Sequence, residues 1–321
     1  MRRRFSLIFI IAILTIFAAG CGSDQSAEKT NGSNAGNDTK QEELTIKHQL
    51  GETKVKKNPE KVVVFDFGVL DTLDKLGVEV TGVPQANIPT YLSKYKDSKY
   101  ENVGGLKEPD FEKISEIDPD LIIISARQQD AYEELSKIAP TIFLGIDTSR
   151  YMESFEKNTK TLGEIFGKES EVEEELAKVK ESIEALHKKA SESGKSGLVI
   201  LANEGNISAY GPGSRFGLIH DVFGVQAVDE NIEVSTHGQN ISFEYIVEKD
   251  PDYLFVIDRG AVVEGSGGSS AKATVENELV KNTKAYKNDN IVYLDPNYWY
   301  LSGGGLISVA EMVKEIEKGI E

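Results

Sequence analysis

One internal repeat limits the architectures open to this chain. Residues 112–127 read EKISEIDPDLIIISAR and residues 244–259 read EYIVEKDPDYLFVIDR, at a constant offset of 132 residues. Glu112 aligns with Glu244, Ile114 with Ile246, Asp118-Pro119-Asp120 with Asp250-Pro251-Asp252, and Arg127 with Arg259. In each copy a short helical run stops at the Asp-Pro pair, because the residue before proline is pushed out of the helical region. An unbroken apolar run follows, Leu121 to Ile124 and Tyr253 to Ile257. Such runs suit parallel strands covered on both faces. Val62 to Phe65 and Leu198 to Leu201 are strand candidates opening the two halves. Thr141 to Gly145 and Ile291 to Leu294 are later ones. Strands alternating with helices predict two α/β lobes, residues 44–167 and 193–321.

Between the lobes, Lys168 to Ser191 contains neither proline nor glycine. Val172, Leu176, Val179, Ile183 and Leu186 recur at helical spacing, so one stripe is apolar and the rest is Glu and Lys. At 1.5 Å per residue such a helix spans about 36 Å, long enough to run behind both lobes. The predicted connecting helix covers residues 168–192. A coiled-coil dimer seam is the alternative, but the stripe lasts only about two heptads.

The N-terminus reads as an export signal over residues 1–20. Arg2, Arg3 and Arg4 precede an apolar segment from Phe5 to Ala19, too short for a bilayer span of about 20 residues. Ala18-Ala19-Gly20-Cys21 resembles a bacterial lipobox, with Cys21 the lipidated residue and the only cysteine in the chain. A single cysteine forms no internal disulfide, and exported proteins seldom keep a free thiol. A plain signal peptide and an uncleaved anchor helix are the alternatives. Residues 22–41 have alanine as their only apolar type and are too polar to offset their ordering entropy. They read as a flexible tether that extends the lipidated cysteine to about residue 43, so the folded protein begins near Leu44.

The net charge of -17 argues against nucleic-acid binding, which needs a basic surface. Against that acidic background the matched arginines are conspicuous. Ligands of open parallel sheets bind outside the carboxyl ends of the strands, where Arg127 and Arg259 fall. Facing lobes would aim both at one cleft, a site for a multiply charged anion. The alternative is an ion pair between each arginine and a carboxylate at its own strand end. Lys107 sits in the loop Gly104-Gly105-Leu106-Lys107, and Arg215 in GPGSR before a helix-like stretch whose entrance favours an anion. The four histidines, His48, His187, His220 and His237, show no metal-type spacing.

The layout resembles the substrate-binding proteins of siderophore, haem and cobalamin importers. It is most similar to the petrobactin-type ferric-siderophore-binding lipoproteins of Gram-positive bacteria. The resemblance covers everything after the tether. It rests on FDFGVLDTLDKLG, VGGLKEPDFEKI, DPDLIIISARQ, GPGSRFGLIHDVFG, STHGQ, DPDYLFVIDRG and WYLSGGGL. It implies two Rossmann-like lobes joined by one long helix, the class III periplasmic-binding-protein fold. It also implies no catalytic activity, no cofactor and no resident metal. The ligand would be an iron(III)–siderophore complex, catecholate or mixed citrate–catecholate, and the partner an ABC-importer permease dimer with its ATPase. The protein would be a monomer, held by its lipid on the extracytoplasmic face of the cell membrane.

The resemblance places His237, Trp299 and Tyr300 in the pocket with Lys107, Arg127, Arg215 and Arg259, the aromatic rings lying against catechols or arginines. A ferric ion in six anionic oxygens carries a charge of about -3 with a full coordination shell, so arginine and aromatic faces suffice. One glutamate per lobe, Glu112 and Glu244, would dock on permease arginines; compensation of the helix dipole is the local alternative. Two rival functions are an exported siderophore hydrolase and a haem or cobalamin carrier. The sequence holds no GxSxG elbow or dinucleotide fingerprint for the former. After Cys21 it offers only Met152 and Met312 as methionine ligands for haem.

Overall fold

The unbroken apolar runs form the centres of two sheets. The computed structural model describes residues 42–263 and 271–321. The expected export signal, Cys21 and nearly all of the expected tether lie outside the described residues. An antiparallel hairpin comes first, β1 (Glu43–His48) with β2 (Gly51–Lys56). Then follow β3 (Val62–Val64), α1 (Phe67–Lys75), β4 (Gly82–Val83), β5 (Glu101–Asn102), α2 (Phe111–Ile117) and β6 (Leu121–Ile124). The first lobe ends with α3 (Tyr132–Ile138), β7 (Thr141–Phe143) and α4 (Tyr151–Phe166). Its five strands are parallel in the order β5-β4-β3-β6-β7. Val62, Val64, Leu121 and Ile123 pack on one face, and Val63, Phe65, Ile122 and Ile124 on the other. Burial on both faces is why the strands read as continuous apolar runs rather than alternating ones.

A 25-residue helix, α5 (Glu169–Ser193), leads to the second lobe. That lobe contains β8 (Ser196–Asn203), β9 (Asn206–Tyr210), α6 (Leu218–Asp221), β10 (Gln226–Ala227), β11 (Gln239–Ile241), α7 (Phe243–Lys249) and β12 (Tyr253–Asp258). It closes with α8 (Ala271–Val275), α9 (Lys284–Lys287), β13 (Ile291–Leu294) and α10 (Leu306–Gly319). The strand order is β11-β9-β8-β12-β13, with β10 beside the start of β8. β9 and β11 are antiparallel additions to an otherwise parallel sheet. The apolar stripe of α5 joins a cluster containing Phe255 and Ile257 of this sheet together with Tyr151 and Phe155 of α4. The helix therefore welds onto both halves.

The Asp-Pro-Asp repeat has the same structural job twice. Asp118 and Asp250 end α2 and α7 in the left-handed conformation, with φ of 51° and 43°. The proline removes the helical option, as expected, but the chain turns left-handed instead of extended. The second aspartate of each motif then pins the neighbouring strand. Asp120 accepts from the Glu60 and Lys61 amides, and Asp252 from the Ser196 amide.

The lobes are also joined by the segment between β13 and α10. Asn297–Ser302 is a π-helical turn. Trp299 belongs to the core cluster that ties α4 and α5 to the second sheet, and Leu301 to a core cluster of the first lobe. Beyond it, the entrance of α10 is capped by α1. Leu306 donates its amide to Thr72 Oγ1 at 3.1 Å, while the Ile307 and Ser308 amides donate to the Asp71 carboxylate at 3.1 and 3.0 Å. Gly305 is required for this approach, since a Cβ there would fall 1.8 Å from Asp71 Oδ1. Among the described residues, no helix is long and apolar enough to cross a membrane.

Candidate ligand site

In each lobe the strand order reverses beside the first strand, between β3 and β6 and between β8 and β12. Ligands of open α/β sheets gather at such switch points, outside the carboxyl ends of the strands. Arg127 lies in a 3-10 turn after β6, and Arg259 starts a 3-10 turn after β12. Ser125, at the N-cap of the first turn, donates its amide to Gln128 Oε1, and Gln128 Nε2 donates to the Leu106 carbonyl. That pair of bonds ties the Lys107 loop to the turn carrying Arg127.

Three guanidiniums converge on Tyr300. Arg127 donates to the Tyr300 carbonyl at 2.8 Å and to the Leu301 carbonyl at 3.3 Å. Arg215 donates to the same Tyr300 carbonyl at 2.7 Å, and its guanidinium lies 4.4 Å from the centre of the Tyr300 ring. Arg259 donates through Nε to the Tyr300 hydroxyl at 2.9 Å and through a terminal nitrogen to Asn203 Oδ1 at 2.6 Å. One backbone carbonyl thus receives an arginine from each lobe.

Every one of these acceptors is neutral. Among the described residues no Asp or Glu forms an ion pair with Arg127, Arg215 or Arg259, so the strand-end carboxylate alternative does not describe them. Arg127 and Arg215 share one carbonyl acceptor, so their like charges repel at short range, a penalty that a bound anion removes. The electrostatics agree. Burial, and then the charge of Arg127, lower the pKa of Arg215. Burial alone would raise the Tyr300 phenol, but the Arg259 hydrogen bond and the three guanidiniums outweigh it and leave it below the usual tyrosine value.

The remaining residues singled out from the sequence fall in different places. Lys107 and His237 are exposed loop residues. The loop of His237 rests against the site wall, because a Cβ on Gly238 would lie 2.7 Å from the Tyr210 ring, which packs on Phe216 beside Arg215. Trp299 corrects the expectation of a cleft-facing ring. It is 2% exposed, donates its indole N–H to Glu315 at 2.6 Å, and meets Phe223 edge-on. Of the three consecutive aromatics, Tyr298 meets Tyr91 at a tilt, Trp299 enters the core, and Tyr300 meets the arginines. Glu112 and Glu244 are exposed in the first turns of α2 and α7. Asp110 caps α2 through its carboxylate, whereas Ser242 makes no side-chain cap to α7.

Asn203 escapes a reading from sequence, although its place at the end of β8, beside the switch point, is a usable signal. The Tyr300 carbonyl leaves no signal at all. Among the described residues no three of His, Cys, Asp and Glu gather as a metal site.

Residues 62–298 match the model of the periplasmic binding protein family. The chain belongs to that family. It is 55% identical to the petrobactin-binding protein YclQ of Bacillus subtilis, with 99% of both chains covered. The crystal structure of YclQ superposes with a TM-score of 0.84 over 87% of this chain and 99% of that one, at 59% identity. The ferric-anguibactin-binding protein FatB of Vibrio anguillarum is 33% identical over 87% of this chain and 88% of its own. The catecholate-siderophore-binding protein VctP of Vibrio cholerae gives a TM-score of 0.81 at 38% identity, covering 86% of this chain and all of that one. The architecture is that of family members with two α/β lobes, the class III arrangement.

Proposed function

We propose that this chain is the substrate-binding lipoprotein of an ABC importer, and that its cargo is a ferric siderophore complex with a charge near -3. The observation that carries this reading is the trio of arginines held on Tyr300 by neutral acceptors. Neutral partners fix the guanidiniums in place and leave their charge available to a ligand. A ferric ion wrapped by two catecholates and a citrate unit presents delocalised anionic oxygens and needs no metal ligand from the protein. Arginine's planar donors suit such oxygens. The similarity to petrobactin- and catecholate-binding proteins points the same way.

Arg127, Arg215, Arg259 and Tyr300 form the centre of this proposed site, with Lys107 and His237 at its rim. Glu112 and Glu244 present one carboxylate per lobe to the permease, and Cys21 carries the lipid that keeps the protein on the extracytoplasmic face. The protein acts by binding and release, as a monomer, without cofactor or catalytic step.

Calorimetric titration with ferric petrobactin, a ferric triscatecholate, a ferric hydroxamate, haem and cobalamin tests the assignment. Ferric petrobactin should bind most tightly, the triscatecholate next, and the uncharged hydroxamate complex weakly. Tight binding of haem or cobalamin with none of the siderophores would overturn it. Recovery of chemically altered siderophore after incubation would point instead to a hydrolase.

A further inference from the structure

The repeat extends one residue ahead of its glutamates, because Phe111 aligns with Phe243 at the same offset. Each Phe-Glu pair opens a helix, α2 in the first lobe and α7 in the second. The two aromatics are seated differently. Phe243 packs against the cluster containing Ile246, Leu254 and Val256. Phe111 joins neither cluster flanking its own sheet and is 38% exposed.

A single exposed apolar side chain is ordinary. The neighbours of Phe111 set it apart. Glu108, Asp110 and Glu112 are all exposed around it, whereas the matched positions of the second lobe are Asn240, Ser242 and Glu244. Lys113, the cation on this helix, is taken by Glu101 and Glu116, leaving Glu112 without an ion pair among the described residues. Glu244 is likewise exposed, and its own backbone N–H and the Ser242 hydroxyl hold its carboxyl below the usual glutamate range. The backbone repeat is therefore symmetric while the surface chemistry is not.

We infer that the two lobes dock unequally on the permease, with Phe111 and its flanking carboxylates Glu108 and Glu112 forming the dominant contact. This rests on the reading that the chain delivers cargo to a two-fold permease. The partner surface that fits the first lobe is a basic side chain beside an apolar hollow. Within an interface, an aromatic anchor ringed by charge is the kind of residue that concentrates binding energy. The second lobe contributes Glu244 as a charge-only contact. On a permease of two different subunits, that inequality fixes which subunit meets which lobe.

Uptake of 55Fe from ferric petrobactin, in cells whose only copy is the full-length lipoprotein, tests this. Petrobactin affinity and thermal stability of each purified variant are measured in parallel. Phe111→Ala should lower uptake about tenfold with affinity and stability unchanged. Phe111→Leu, which keeps an apolar side chain, should stay within about twofold of wild type. Glu112→Gln should reduce uptake more than Glu244→Gln. Normal uptake by Phe111→Ala, or an equal or larger loss from Glu244→Gln, overturns the inequality while leaving two-lobe docking intact. Normal uptake by the Glu112→Gln, Glu244→Gln double variant removes the docking reading itself, and the inference with it.

Discussion

Tyr300 holds three arginines in position without neutralising any of them. Its carbonyl serves Arg127 and Arg215, and its hydroxyl serves Arg259. Arg127→Ala or Arg259→Ala should each weaken ferric siderophore binding by about 1.5–3 kcal/mol, the range for a charged hydrogen bond, read by calorimetric titration. Tyr300→Phe keeps the carbonyl and loses only the hydroxyl, so its effect should be smaller, about 0.5–1.5 kcal/mol. A pH profile separates the roles further. Because the three guanidiniums pull the Tyr300 phenol below its usual pKa, raising the pH creates a phenolate among them. That negative charge competes with an anionic ligand, so affinity should fall at alkaline pH in the wild type. In Tyr300→Phe that decline should be absent. The duplicated motif makes Arg127 and Arg259 legible in the sequence. Burial is not legible there, which is why Trp299 reads as a cleft residue although its ring is clamped by Glu315 in the core. Nor is a backbone acceptor, which has no residue type to announce it.

At the scale of elements, sequence and structure agree where burial is two-sided. The unbroken apolar runs at β6 and β12 and the stripe of α5 read directly, because tertiary packing asks of them what their periodicity already offers. The hairpin β1–β2 and the strands β9 and β11 do not stand out, since each includes exposed or half-buried positions and none is buried along its whole length. The capping of α10 by Asp71 is invisible for another reason: its partners are 236 and 237 residues away. Asp71→Ala leaves two amide donors without their acceptor inside the protein. It should cost about 2–4 kcal/mol in urea unfolding, combining a lost cap with unsatisfied buried groups. The carboxyl itself is raised to about 7 by burial, against the donations from Ser308, Ile307 and Tyr91. A raised carboxyl pKa favours the protonated form in the folded state. Its contribution to stability is therefore greatest below the unfolded value and is lost as pH rises through about 7. The melting temperature of the wild type relative to Asp71→Asn should accordingly fall between about pH 4 and pH 7.

For the whole molecule, the connections that restrain the lobes include, among the described residues, α5, the Asn297–Ser302 turn and the α1–α10 cap. A continuous helix and a buried cap resist hinge motion, so small-angle scattering should show little change in radius of gyration when ferric siderophore is added. A marked compaction would mean that the restraints yield. The acidic balance and the arginine trio act together, because a net charge of -17 repels anions overall while three cations standing together draw them to one place.

The turn between the lobes has a practical consequence. The chain contains one tryptophan, and it is the residue next to the tyrosine that gathers the arginines. Its indole is fixed to Glu315 and shielded from water, so its emission should be steady and blue-shifted in the unloaded protein. Strongly absorbing iron chelates arriving one residue away will drain that emission. The unlabelled protein is thus its own optical gauge of cargo, suited to measuring trace siderophore in a culture supernatant.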